Sequence, residues 1–177
     1  KMLVANKWVF TVKRRADGSI CRYKGRLVAK GFSQRPGLDY VDTFAPVTTL
    51  KTVRVVIAVA THRGYHMHHV DIKTAYLNAG LEEEVFMEVP EGLEVPPPPT
   101  DADPDGQWAC RLEKALYGLK QAGHNFNRLM NSSLRKLGFH IAEADECLYI
   151  KSTARNSFLT VVLYVDDLIV VYAQKSD

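Results

Sequence analysis

Two periods of apolar spacing alternate along this chain, and the switches between them mark most of its elements. Trp8-Val9-Phe10-Thr11-Val12 is rich in strand formers. Ala16-Asp17-Gly18-Ser19 has turn composition, and residues 20–23 are placed to pair back as a hairpin. A further strand is expected at 26–32, then irregular chain over 33–46. Leu50, Val53, Ile57 and Ala60 fall at helical spacing, with Thr48 or Thr49 to cap the start and Gly64 to stop it. Residues 66–71 read as a short strand running into a turn or helix at 73–78, and 85–89 as another strand. The stretch 94–106, with Pro96-Pro97-Pro98-Pro99, predicts an exposed loop, and 108–112 a strand. Phe126, Leu129, Met130, Leu134 and Leu137 predict one face of a helix over 121–137 that ends at Gly138. Strands at 148–151, 158–165 and 168–172 close the pattern. The apolar stripes of both helices are expected to be core. Hairpins mixed with helices make the class α+β.

Composition narrows this little. At 177 residues and 46% apolar, the chain suffices for one globular domain, or a domain and a lobe. The net charge of +3 permits a polyanionic partner without arguing for one. Cys21, Cys110 and Cys147 are scattered, as in reduced thiols, with neither a disulfide frame nor a zinc site. The longest apolar run, 158–171, is broken by Asp166 and Asp167, so no membrane span is expected. A chain that starts at Lys1 and stops at Asp177 just after an apolar strand is expected to be a piece of a longer polypeptide.

The chemistry concentrates at two places. Asp166 and Asp167 stand where two strongly apolar strands meet, in Tyr164-Val165-Asp166-Asp167, although a bare hairpin turn favours Asn-Gly or Asp-Gly. A divalent cation would offset the repulsion of two adjacent carboxylates near a core; a solvated acidic turn is the plainer alternative. His69-Val70-Asp71-Ile72-Lys73-Thr74-Ala75-Tyr76 places an acid after an apolar strand, followed by a turn that exposes backbone amides. Alone, Asp71 is an ordinary turn residue. With Asp166 it forms a pair that the intervening chain can bring side by side on one sheet, which suits two-metal phosphoryl transfer.

These two motifs resemble the catalytic hairpin and the first catalytic-aspartate motif of reverse transcriptases. Three further segments resemble the copia-type class of LTR retrotransposons: Tyr23-Lys24-Gly25-Arg26-Leu27-Val28-Ala29-Lys30-Gly31-Phe32, Tyr40-Val41-Asp42-Thr43-Phe44-Ala45-Pro46-Val47 and Lys114-Ala115-Leu116-Tyr117-Gly118-Leu119-Lys120-Gln121. With Asp145-Glu146-Cys147-Leu148-Tyr149 they cover nearly the whole chain in order. The resemblance implies the fingers and palm of a right-hand polymerase, an antiparallel palm sheet packed on helices, truncated before the thumb. Fingers-like chain would run over about 1–65, palm over about 66–93, an exposed loop over about 94–107, fingers or palm over about 108–140, and palm with the catalytic hairpin over about 141–177.

It implies RNA-directed DNA synthesis from dNTPs, on an RNA template with a DNA primer, beside integrase and ribonuclease H domains of a Pol polyprotein. Cytoplasmic virus-like particles and the nucleus would be its places. A catalytically inactive relic, or a nucleic-acid-binding module, is the competing reading. By the same resemblance Asp71 and Asp166 are principal ligands of two Mg2+ ions, replaceable by Mn2+; Asp167 is the second acid of the hairpin, and Ile72 ligates through its carbonyl. Thr74 and Ala75 meet the triphosphate by their amides, and Tyr76 crowds a ribose 2′-OH. Arg26, with Lys24 or Lys30, grips the triphosphate. Gln121 and Lys120 lie beneath nucleotide and template base, and Tyr164 lies against nucleic acid. Gly25 departs from the usual alanine, and Gly123-His124-Asn125-Phe126 from a pattern with Arg and Trp.

The remaining polar clusters have plainer readings. His62, His66, His68 and His69 lack zinc-site spacing and read as surface or partly satisfied histidines. Lys13-Arg14-Arg15 is a solvated run that could touch template phosphates, and Glu82-Glu83-Glu84 an exposed face.

Overall fold

The computed structural model describes residues 3–96, 108–152 and 158–173. From residue 97 onward, the expected loop over 94–106 lies outside the described residues. The strands are β1 (Asn6–Arg14), β2 (Ile20–Ala29), β3 (His66–Asp71), β4 (Gly80–Glu88), β5 (Ala109–Lys114), β6 (His140–Ala142), β7 (Asp145–Ser152), β8 (Phe158–Tyr164) and β9 (Asp167–Tyr172). The helices are α1 (Leu50–His62) and α2 (Ala122–Lys136), and short 3-10 turns lie at Gly31–Ser33 and Ala75–Asn78. Every ladder between these strands is antiparallel. The class is α+β, mostly antiparallel sheet with two helices.

The chain divides into two compact units, Lys1–Thr43 with Tyr76–Asn125, and Phe44–Ala75 with Phe126–Asp177. The first holds two ribbons, β1–β2 and β4–β5. Val4 bonds to the β4 backbone in both directions, to the Phe86 carbonyl at 2.8 Å and from the Glu88 amide at 3.0 Å. Lys30 then donates to the Ala5 carbonyl at 2.7 Å, so the segment before β1 ties both ribbons together. The expected separate strand over 26–32 does not form. Residues 26–29 continue β2, opposite residues 6–9 of β1, and the chain then turns through Gly31–Ser33. Gly31 must pass against the Gly118 carbonyl, where a Cβ would come to 2.1 Å, and the turn gives that approach. Glu83 is not simply on an exposed face: it is half-buried and accepts from the Val41 amide at 3.3 Å.

The second unit is a five-stranded sheet of order β3-β9-β8-β7-β6 with α1 and most of α2. Val161, Val162 and Leu163 are buried in sequence along β8, as befits a central strand covered on both faces. Thr49 caps α1, accepting from the Thr52 amide at 3.2 Å, and Gly64 takes φ +66 after its end. The stripe of α1 is not core: Leu50 is 63% exposed and Ile57 40%, and Ala60 alone on the helix is buried. The helix is apolar on several sides, so spacing alone could not say which side packs. In α2, Phe126 and Leu134 are buried as expected, but Leu137 is 62% exposed because the helix has already ended at Lys136.

One carboxylate fastens the start of α1 to the sheet. Asp145, at the head of β7, accepts from Thr48 Oγ1 at 2.7 Å, Thr52 Oγ1 at 2.6 Å and the Thr49 amide at 3.3 Å, and from the Cys147 amide at 2.9 Å. Burial pushes this carboxyl up, but the hydrogen bonds from Thr52, Cys147, Thr48 and Thr49 together outweigh it, so its pKa lies below the usual carboxylate value. Its stabilisation is therefore present above the unfolded pKa of about 3.9 and lost as pH falls through the lower folded value. Asp145→Asn is expected to cost about 2–4 kcal/mol at neutral pH, because charge-assisted bonds to both threonine hydroxyls are weakened together. The penalty should begin to shrink below about pH 4, where the unfolded wild-type chain takes up a proton at this carboxyl before the folded one does. Urea titrations at pH 7 and pH 3.5, followed by far-UV circular dichroism, check this; a penalty equal at both pH values would refute the charge as the cause.

Deeper in the same unit, Tyr149 is fully buried, and its hydroxyl has no hydrogen-bond partner among the described residues. Burial pushes the phenol up to about 12. A buried hydroxyl left without a partner costs about 1–3 kcal/mol in desolvation, so Tyr149→Phe should raise Tm by a few degrees. A lowered Tm in calorimetry would mean that the hydroxyl is satisfied.

Candidate active site

The carboxylates arise from the β3–β9 ladder of the second unit. Antiparallel pairing runs from His66↔Tyr172 to Asp71↔Asp167, so the last residue of β3 faces the first residue of β9. Side chains directly opposite in such a pair share a face of the sheet, which sets the Asp71 and Asp167 carboxylates on one side. Asp166 is next in chain, in the two-residue turn between Tyr164 and Asp167, and its carbonyl accepts the Ile72 amide at 2.9 Å. That bond extends the ladder past Asp71 and fixes the hairpin tip against the strand that carries the first aspartate.

The tip itself is unusual. Val165 occupies the first position of the turn with φ +57, a conformation that costs a β-branched residue and normally selects glycine. Thr74, three residues past Asp71, also has positive φ, at 52°. Two β-branched residues in left-handed geometry beside the acids mark a segment over-determined by its surroundings, a condition that recurs at functional sites.

His69 is two residues before Asp71 on β3 and shares its face. Its Nε2 lies 2.8 Å from Asp167 Oδ1, so the second acid of the hairpin is held sideways toward β3. On the opposite face, His66 and His68 flank the Tyr172 ring at 5.3 and 5.6 Å between centroids. His66, His68 and His69 are thus exposed residues with aromatic or carboxylate partners. Among the described residues, no three His, Cys, Asp or Glu side chains are gathered to hold a metal. The donor set at the β3–β9 end nevertheless suits a hard divalent cation: carboxylate oxygens from adjacent strands, on one face and open to solvent.

The expected nucleotide residues belong mainly to the first unit. Lys24 and Arg26 alternate onto one face of β2, while Lys30 follows its end. The Arg26 guanidinium lies over the Tyr117 ring, 5.9 Å from its centroid, and the Tyr76 ring meets the same Tyr117 at 4.8 Å with a 59° tilt. Thr74 and Ala75 belong to the second unit, and Ala75 is buried. Lys120 is exposed, with its amide donated to Gln34 Oε1 at 2.8 Å.

Gln121 is fully buried. Its Oε1 accepts from Gln34 Nε2 at 3.1 Å and its Nε2 donates to the Asp39 carbonyl at 2.9 Å, so its carboxamide braces loop 33–40. Tyr164 is 43% exposed on the hairpin. Sequence reasoning missed Gln34, His69 and Tyr117 as parts of these assemblies. Tyr117 was visible only as part of a motif, and no spacing rule couples it to Arg26 or Tyr76. No helix among the described residues is long and apolar enough to cross a membrane.

The family model described as "Reverse transcriptase (RNA-dependent DNA polymerase)" matches residues 1–176. The Retrovirus-related Pol polyprotein from transposon TNT 1-94 of Nicotiana tabacum is 37% identical over 169 residues, covering 96% of this chain. The corresponding polyprotein from transposon RE2 of Arabidopsis thaliana is 40% identical over 169 residues and 95% of this chain. The Transposon Ty1-H Gag-Pol polyprotein of Saccharomyces cerevisiae is 31% identical over 175 residues and 96% of this chain. The chain spans 12%, 11% and 8% of the lengths of these three relatives. No solved structure gives a significant match. A paired Asp71 and Asp167 with Asp166 in the turn between apolar strands, and a family match from end to end, lead to one conclusion: the chain belongs to the reverse transcriptase (RNA-dependent DNA polymerase) family, in the branch carried by the Pol polyproteins of copia-type transposons.

Proposed function

We propose that this chain carries the nucleotidyl-transfer chemistry of RNA-directed DNA synthesis within a larger Pol polyprotein. The observation that carries the reading is the ladder end at which Asp71 faces Asp167 and Ile72 binds the Asp166 backbone. In this reading the five-stranded sheet is the palm, and the β1–β2 ribbon belongs to the fingers. Asp71 and Asp166 are the principal carboxylates for two Mg2+ ions, which Mn2+ can replace, with the Ile72 carbonyl as a further donor. Asp167, held by His69, contributes charge. When bound, the cations lower the barrier to deprotonating the primer 3′-hydroxyl and neutralise charge on the departing pyrophosphate.

The chain's own groups bind and orient. The amides of Thr74 and Ala75 receive phosphate oxygens, and Arg26 matches the triphosphate with its planar fork, helped by Lys24 or Lys30. Tyr76 excludes a ribose 2′-OH by its ring. Lys120 and Tyr164 lie against nucleic acid, and Gln121 supports the nucleotide through the loop it braces. The 3′-oxygen forms its bond to the α-phosphorus in line as the bond to pyrophosphate breaks, and sequence choice comes from base pairing. RNA template, DNA primer and dNTPs are the substrates, integrase and ribonuclease H the neighbouring domains, and cytoplasmic particles and the nucleus the setting.

The test is primer extension by the parent polyprotein's polymerase on poly-A with oligo-dT and Mg2+. Templated synthesis supports the reading. A folded, template-binding protein that extends nothing would replace it with an inactive relic or a binding module.

A further inference from the structure

Arg26 on β2 and Tyr76 in the turn after β3 are far apart in sequence, yet both converge on one ring. Tyr117 lies 5.9 Å below the Arg26 guanidinium carbon and 4.8 Å from the Tyr76 ring centroid, all three within the first unit. The backbone that carries the ring is itself held in place: the Tyr117 carbonyl accepts the Ala29 amide at 2.8 Å, and the Gly118 carbonyl accepts the Gly31 amide at 3.1 Å. Ala115 and Leu119 on either side are buried, while Tyr117 is half-buried. A tilted aromatic pair and a guanidinium over a ring face are both orienting contacts, because the ring quadrupole rewards particular geometries.

We infer that Tyr117 is a positioning residue for nucleotide selection, fixing the ring that senses the sugar 2′ position and the guanidinium that receives the triphosphate by a single aromatic platform. The inference rests on the roles of Tyr76 and Arg26 proposed above. It adds that selectivity against ribonucleotides and affinity for the triphosphate are coupled through a residue that touches neither. Tyr76 without its neighbour can swing away from the sugar, and Arg26 without a ring beneath it samples more rotamers.

The experiment measures retention of dTTP and of UTP by the parent polymerase on poly-A with a dideoxy-terminated oligo-dT primer, with Ca2+ in place of Mg2+ so that no turnover is needed. Wild type is compared with Tyr76→Ala, Tyr117→Leu and Tyr117→Phe. Tyr117→Leu is expected to reduce the preference for dTTP over UTP by about three- to tenfold, the range that loss of one aromatic pair allows, and to weaken dTTP itself severalfold. Tyr117→Phe, which keeps the ring, should retain wild-type preference. An equal loss for both nucleotides, with the ratio unchanged, would assign Tyr117 a purely structural role and overturn the inference. If Tyr76→Ala loses the preference and Tyr117→Leu keeps it, the inference fails while the reading of Tyr76 stands. If wild type shows no preference, or Tyr76→Ala keeps it, that reading fails and the inference with it. Should Tyr117→Leu not fold by circular dichroism, Tyr117→Met is read against the same outcomes.

Discussion

Asp166→Asn and Asp71→Asn are each expected to lower primer extension by about a thousandfold or more, while Asp167→Asn falls well short of that. The ordering follows from where the three carboxylates are held. Asp71 ends β3, and Asp166 is fixed in the turn by the bond from the Ile72 amide to its carbonyl at 2.9 Å. Among the described residues, neither carboxylate has a hydrogen bond or ion pair that would compete with a cation. Asp167 is already engaged by His69 at 2.8 Å, so its replacement first removes a contact between neighbouring strands. Charge stabilisation at a metal-assisted transfer is worth several kcal/mol, and about 1.4 kcal/mol is a factor of ten in rate, which sets the scale of the first two losses.

All three variants are isosteric and keep the backbone pairing, so their folding should match wild type. Steady-state dTTP incorporation, with Mg2+ titrated, checks the series. Activity that survives both Asp71→Asn and Asp166→Asn would show that the metal site is elsewhere, and an Asp167→Asn loss as large as the others would make all three carboxylates equal ligands.

Long alternating or apolar segments were legible in the sequence because each pattern has one structural solution. The strand at His66–Asp71 and the hairpin of β8 and β9 emerge as the spacing predicts, and their pairing brings two distant acids to one rung. Short or symmetric patterns were not legible. His140–Ala142 is a strand of three residues, too brief for any period to register. The segment 26–32 reads as a strand, but a tertiary demand at Gly31 ends it.

α1 shows the same limit differently. Val55 at 62% exposure and Ala60 at 1% carry comparable sequence signals, and only packing separates them. At the site, carboxylates could be anticipated because like charges beside apolar strands need a reason. The burial of Gln34 and Gln121, and the platform role of Tyr117, depend on pairings between segments that no local pattern encodes.

The crossing of β2's end with the turn at 117–118 carries the second large effect: Gly118→Ala is expected to cost the first unit about 3–5 kcal/mol. Gly118 has φ +92, and a Cβ there would lie 2.0 Å from the Ala29 carbonyl oxygen and 2.8 Å from Val28 Cγ1. The first of these is backbone, held by the Ala29 amide bond to Tyr117 and the Gly31 amide bond to Gly118, so nothing can yield without breaking the crossing. Positive φ alone costs a non-glycine residue about 1 kcal/mol, and the steric conflict adds the rest.

Gly37→Ala isolates the smaller part, since Gly37 has φ +76 with nothing within 4 Å of an added Cβ. Both tryptophans, Trp8 and Trp108, lie in the first unit, so their fluorescence during urea unfolding reports on it alone. The expected result is a midpoint for Gly118→Ala far below that of Gly37→Ala, together with a loss of dTTP preference where the variant still folds, because the platform ring sits on the residue before. Equal midpoints for the two variants would mean that the crossing has room to open, and the rigid support of Tyr117 would go with it.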